Sequence, residues 1–180
     1  MSDEWISASE PYLAPRSVGE RDAWSDESAA RERKGGQQLT FAGPIEPPAD
    51  VARALGIQAG EEAVARKRII TLDGQPVELT DTYYPSAIAL DTPLATPRKI
   101  RGGAVTLLAS LGFTTAQVHE DVSARMPTAA ELEALHLDGS EPVLTLLRVH
   151  VAADGKPLQV DAITMPSNDR HLHYSLKKQG

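Results

Sequence analysis

Arg66 and Arg68 stand two residues apart in a β-branched run, Val64 to Ile70. In a β-strand that spacing sends both guanidinium groups out of one face. An Asp73-Gly74-Gln75 turn would fold the following residues back as a hairpin. Arg68 then lies opposite Thr80, Arg66 opposite Thr82, and Glu78 one diagonal step from Arg68. With Tyr84 the face carries two cations, a carboxylate, two hydroxyls and a phenol. Paired arginines hold a phosphate or carboxylate bidentately, and Glu78 would accept from sugar or amine donors. The same residues would also serve as a solvated face knit by cross-strand ion pairs, and both readings stand.

A second cationic feature is Arg98-Lys99-Ile100-Arg101-Gly102-Gly103, which runs into an apolar helix. Bare glycines, exposed helix N-terminal amides and nearby positive charge suit an anion, as they also suit a flexible basic loop. The Gly-Lys-Ser/Thr ending of nucleotide-hydrolase phosphate loops is absent, and no G-x-G-x-x-G occurs. His171 and His173 share a strand face, but no cysteine and no third ligand in register joins them. They read as structural or solvent-facing, so no metal and no cofactor is expected. His119-Glu120-Asp121 splits across two faces. No serine stands in a nucleophile elbow. Nothing here marks a catalytic centre, and the chain reads as a binding protein rather than an enzyme.

The elements that must position these groups come as one unit stated twice. Residues 47–76 and 127–157 each hold a proline, a short helix, an acidic/Gly turn, a β-branched run and a hairpin turn. The turns are Asp73-Gly74-Gln75-Pro76 and Asp154-Gly155-Lys156-Pro157. Two copies do not make a solenoid. They predict an α+β domain, with two hairpins in one antiparallel sheet. The predicted strands are 62–72, 76–84, 114–126, two within 142–164, and one near 171–176. The predicted helices are 48–55, 104–111 and 128–135. Only the first hairpin has the Arg-x-Arg strand; the second offers a single Arg148, which places the site on the first.

Residues 1–46 read as an extended acidic arm, 47–176 as the folded domain and 177–180 as a tail. The arm admits one short helix at about 25–34, capped by Ser25 or Asp26 and stopped at Gly35. Both tryptophans, Trp5 and Trp24, lie in it, so at least one should dock on the domain or on a partner subunit. Residues 1–40 carry five basic and eight acidic side chains, and the whole chain has a net charge of -7. That balance disfavours direct binding of nucleic acid, which needs a basic surface. With Cys 0 the chain has no disulfide and no thiol chemistry. The start, Met1-Ser2-Asp3-Glu4-Trp5, lacks an apolar signal segment, and no membrane-length run occurs, which points to the cytoplasm.

The run Val64–Arg68, Asp73-Gly74-x-Pro76 and Glu78-Leu79-Thr80-Asp81-Thr82-Tyr83-Tyr84-Pro85 resembles the first half of a UTRA domain. Glu120 to Thr128, and Pro142 through Leu158, resemble later parts of it, so the likeness spans about 45–176. UTRA domains are the effector-binding domains of GntR-type, HutC-subfamily transcriptional regulators. The resemblance implies a chorismate-lyase-like fold with a six-stranded antiparallel sheet and flanking helices. It also implies a homodimer, and a cleft for a small anionic metabolite, often phosphorylated. By the same resemblance Arg66, Arg68 and Glu78 contact ligand, and a late polar position falls near Asp161. The family's hydroxyl at the start of the central helix falls near Gly103-Ala104, where only backbone amides remain. The 46 residues before the domain are too few for the usual winged helix-turn-helix. The chain therefore reads as a stand-alone effector-binding domain, or as a regulator whose DNA-binding part was lost, removed or supplied by a partner regulator, with no DNA contact expected from this chain alone. A chorismate-lyase-like enzyme, with Glu78 as acid, and a partner-docking module using the tryptophan arm are the rival readings.

Overall fold

A computed structural model describes residues 5–7, 12–13, 15–16, 20, 22–100, 102–168 and 170–175. Six strands form one antiparallel sheet: β2 (Gly35–Ile45), β3 (Ala63–Leu72), β4 (Gln75–Pro85), β5 (Gln117–Arg125), β6 (Val143–Val151) and β7 (Pro157–Pro166). Their order is β2-β3-β4-β7-β6-β5. A short strand β1 (Trp5–Ser7) pairs in parallel with β8 (Arg170–Leu172) outside that sheet.

The order exposes an approximate twofold relation. Helix α2 (Ala49–Leu55) precedes the β3–β4 hairpin, and α5 (Ala129–Leu135) precedes β6–β7. Each helix is itself preceded by an edge strand, β2 or β5. The repeated unit is thus strand-helix-hairpin, one strand longer than the sequence suggests. Helix α2 lies mainly against β7, and α5 against β4, so each unit covers the other's central strand.

This corrects the expected organisation at three places. The sheet begins at Gly35, inside the segment read as an arm. Its sixth strand is β2 rather than 171–176. Gly35, Gly36, Gln37, Gln38 and Thr40 carry few aliphatic groups and read as loop. An edge strand half-open to solvent needs few, because the ladder to β3 supplies its order. The arm helix, α1, spans Ala23–Ala29 rather than 25–34. Its cap is Asp22, whose side chain accepts from Ser25 N at 2.9 Å.

Elsewhere local chemistry closes the elements as read. Gly56 ends α2 in the left-handed region, and Thr128 with Glu131 builds a capping box on α5. The β3–β4 turn has two residues, Asp73 and Gly74, both at positive φ, rather than three. A bulge at Val77 then restores the parity, since Ile70 pairs with Glu78. Arg66 does face Thr82, and Arg68 faces Thr80.

The two sheet faces differ. On one, Val51 and Leu55 of α2 pack on Ala63, Ala65, Tyr83 and Val160. The other is covered at one end by α3 (Ser86–Ala89), a 3-10 turn at Pro93–Ala95 and α4 (Gly103–Ser110). Tyr84, Val64, Ala89, Leu94 and Leu108 form the core there. The other end is covered by the arm. Trp5 and Trp24, both buried, pack with Ile70 and Leu72, their ring centroids 5.1 Å apart. Both tryptophans therefore dock on the domain of their own chain. No helix is long and apolar enough to cross a membrane, among the described residues.

Candidate effector cleft

Between α4 and the arm the sheet stays open, leaving a cavity of about 210 Å³. Its floor follows from register. Glu78, Thr80 and Tyr84 of β4 sit beside Met165, Ile163, Asp161 and Gln159 of β7, then Leu146 and Arg148 of β6. Arg68 and Ile70 of β3 close one side. Gly102, Gly103 and Ala104 supply the end wall at the start of α4. Gly102 and Gly103 have φ of 77° and 83°, a consecutive pair that favours glycine strongly. Tyr12, Arg16 and Trp24 of the arm, with Arg170 and Leu172 of β8, form the roof.

Eight of the ten residues singled out from sequence meet in this cavity: Arg68, Glu78, Thr80, Tyr84, Gly102, Gly103, Ala104 and Asp161. Arg66 and Thr82 do not line it. Arg66 is buried beneath the loop after α3, where Nη1 donates to the carbonyls of Pro93, Leu94 and Thr96 at 3.3, 3.0 and 2.7 Å. Its Nη2 donates to Arg98 O at 2.9 Å. Shared strand parity puts both arginines on one face, yet this loop crosses that face only above Arg66. Of the basic loop, Arg98 and Lys99 are exposed and Arg101 lies outside the described residues.

Arg68 has a different setting. Its Nη2 donates to Thr82 Oγ1 at 2.8 Å, and its buried Nε has no hydrogen-bond partner in the protein. Nearby, Thr80 Oγ1 donates to Glu78 Oε1 at 2.6 Å. Burial pushes the Tyr84 phenol up, with Asp161 adding to the effect and Arg68 and Arg66 opposing it. That phenol stays protonated.

The second hairpin contributes more than sequence reasoning allowed. Burial works to raise the Asp161 carboxyl. His150, Arg148 and Thr82 outweigh it and hold the group at about 2. His150 Nε2 donates to Asp161 Oδ2 at 3.3 Å, and Gln159 Nε2 donates to both carboxylate oxygens at 2.9 and 3.0 Å. Arg148 Nη1 stands 4.0 Å from Asp161, and its Nε donates to Glu120 at 2.5 Å. Thr82, Asp161, Arg148 and Glu120 occupy one straight row across four strands. Arg148 and Gln159 were missed as site residues. The signal was the shared parity of Arg148, Asp161 and Thr82, which needs the order of the hairpins, not their sequences alone.

The arm is fastened at several points. Trp24 Nε1 donates to Thr71 O at 3.0 Å, Trp5 Nε1 to Glu27 at 2.8 Å, and Tyr12 hydroxyl to Glu27. The Arg31 guanidinium lies 4.1 Å from the Trp5 ring centroid. Arg16 N reaches Thr106 on α4 at 3.0 Å. No group of three or more side chains that could hold a metal ion occurs among the described residues; His171 on β8 and His173 beyond its end are both exposed.

The six-stranded antiparallel sheet with its flanking helices has the chorismate-lyase-like α+β fold of GntR-type effector domains. The UTRA domain family's profile matches residues 30–170. This chain belongs to the UTRA domain family. It is 28% identical over 131 residues to an uncharacterized HTH-type transcriptional regulator of Streptomyces coelicolor, covering 71% of this chain and 49% of that protein. It thus spans about half the length of that curated relative. Among solved structures it is similar to the effector domain of PhnF from Mycobacterium smegmatis, with TM-score 0.71 and 18% identity over 91% of this chain and 98% of that one. The C-terminal domain of the histidine utilization repressor from Pseudomonas syringae pv. tomato gives TM-score 0.64 and 18% identity, covering 81% and 100%. These two likenesses establish the fold.

Proposed function

We propose that this chain is the ligand-sensing domain of a GntR/HutC-type transcriptional regulator, taking a small anionic metabolite in the cleft above β4 and β7. One observation carries the reading: Arg68 keeps a buried Nε without a protein partner at the cleft wall. A buried guanidinium donor left unmatched is costly, and an anion's oxygen would meet it at full charge-assisted strength. Gly102, Gly103 and Ala104 line the same cavity at the N-terminal end of α4, and a helix N-terminus favours the same charge. Glu78 and Asp161 keep the site from being uniformly positive, which fits a ligand with polar groups besides its acid. Arg66 acts on this site indirectly, by holding the 93–98 loop.

Sensing requires that ligand bind one arrangement of the protein better than another. The reading is a homodimer whose arrangement shifts with occupancy, with DNA contacted through an adjoining or partner module. Isothermal titration with phosphorylated and carboxylated small molecules tests the site. Arg68→Ala should weaken a ligand so found by about tenfold or more. Equal affinity in the variant would remove Arg68 from the site.

A further inference from the structure

The cleft contains a second buried atom without a partner, and its chemistry is the opposite of Arg68's. Gln159 is buried on β7, and its Oε1 has no hydrogen-bond partner in the protein. The amide cannot turn round to repair this. Its NH2 group serves both oxygens of Asp161, at 2.9 and 3.0 Å. Asp161 is held ionised by His150, Arg148 and Thr82, so it can only accept. Reversing the amide would set a carbonyl oxygen against a carboxylate and forfeit two hydrogen bonds. Asp161 thereby fixes the amide with its oxygen away from itself, in a side chain that lines the cavity.

We infer that Gln159 is a specificity-determining residue that selects a ligand presenting an N–H or O–H group in addition to its acid group. The inference rests on the anion-binding reading above and sharpens it. Glu78 makes the same demand on the β4 side of the cleft, since a carboxylate also wants donors. A hydroxylated or amino-bearing acid satisfies Arg68, Glu78 and Gln159 together. A plain polycarboxylate satisfies only Arg68 and leaves the Gln159 oxygen desolvated and unmatched. Sites built around such an acceptor reject an analogue lacking the donor far more strongly than an apolar pocket rejects an extra group.

Matched pairs of probes test this on the full chain: glycerol 3-phosphate against propyl phosphate, and malate against succinate, titrated calorimetrically. Wild type should prefer the hydroxylated member of a bound pair by about tenfold or more. Gln159→Met keeps the length and removes the acceptor, and should bring that ratio close to one. A second readout needs no variant: the Gln159 side-chain amide resonances should move on adding glycerol 3-phosphate and stay in place with propyl phosphate. Equal binding of both members by wild type, or an unchanged ratio in Gln159→Met, overturns the Gln159 assignment while leaving the anion reading intact. If none of the four acids binds at millimolar concentration, the anion reading falls and this inference falls with it.

Discussion

Two arginines that sequence parity makes equivalent have separate tasks in the fold. Arg66 gives its guanidinium to four backbone carbonyls, so it stabilises the 93–98 loop. A lysine there offers three donors from one point and cannot span that set. Arg66→Lys should therefore cost on the order of 2–3 kcal/mol in urea unfolding. Arg68→Lys should cost less stability and more ligand affinity. A reversed ranking would mean the two roles have been exchanged. Asp161 supplies a pH signature. Its carboxyl is depressed in the folded chain, so its stabilisation is complete above the ordinary carboxylate range. It is lost as pH falls from about 4 through about 2, and is worth on the order of 2 kcal/mol. The wild-type unfolding free energy should drop across that window, and Asp161→Asn should flatten the drop. A parallel slope in the variant would assign the acid sensitivity to other carboxylates, such as Glu131, which Arg125 also holds low.

At the scale of elements, the hairpins were legible because both local signals agreed. Asp-Gly turns and alternating β-branched residues set β3–β4 and β6–β7. The Arg66–Thr82 pairing emerged correctly even though the turn has two residues, because the bulge at Val77 adds the third. Strand β2 was illegible for a physical reason: its order comes from the ladder to β3 and from α1 above it, neither of which is local. Gly35 shows how close that packing is. A Cβ there would lie 2.3 Å from Ser28 Oγ and 2.8 Å from Trp24 Nε1. Ser28 is fully buried and its hydroxyl accepts from Gly35 N at 2.9 Å. Gly35→Ala should push α1 off the sheet, lowering stability by about 1–3 kcal/mol and shifting tryptophan emission to the red. Unchanged emission would show that α1 can give way without leaving its seat.

For the molecule as a whole, the site's far half was hidden because it depends on how the two repeat units meet. The central pairing of β4 with β7 brings Asp161 beside Thr82, and thus joins the Arg68 side of the cleft to the Arg148–Glu120 pair that links β6 to the edge strand β5. Neither hairpin carries that row alone. The arm is likewise a covering of the domain more than an appendage to it, with β1 laid along β8 and Tyr12, Arg16 and Trp24 over the cavity.

That roof bears on how fast a bound molecule can come and go. Trp24 and Tyr12 line the cavity from the arm side, so on the proposed reading a ligand should leave only as fast as α1 lifts, and its dwell time should follow the arm's opening rate. Both tryptophans of the chain sit in that arm, so the opening carries an intrinsic optical reporter. In stopped-flow mixing, the association rate should level off with ligand concentration at the rate of the tryptophan signal, and Trp24→Ala should raise the plateau. A rate that climbs linearly with concentration would mean the cleft is already open to solvent.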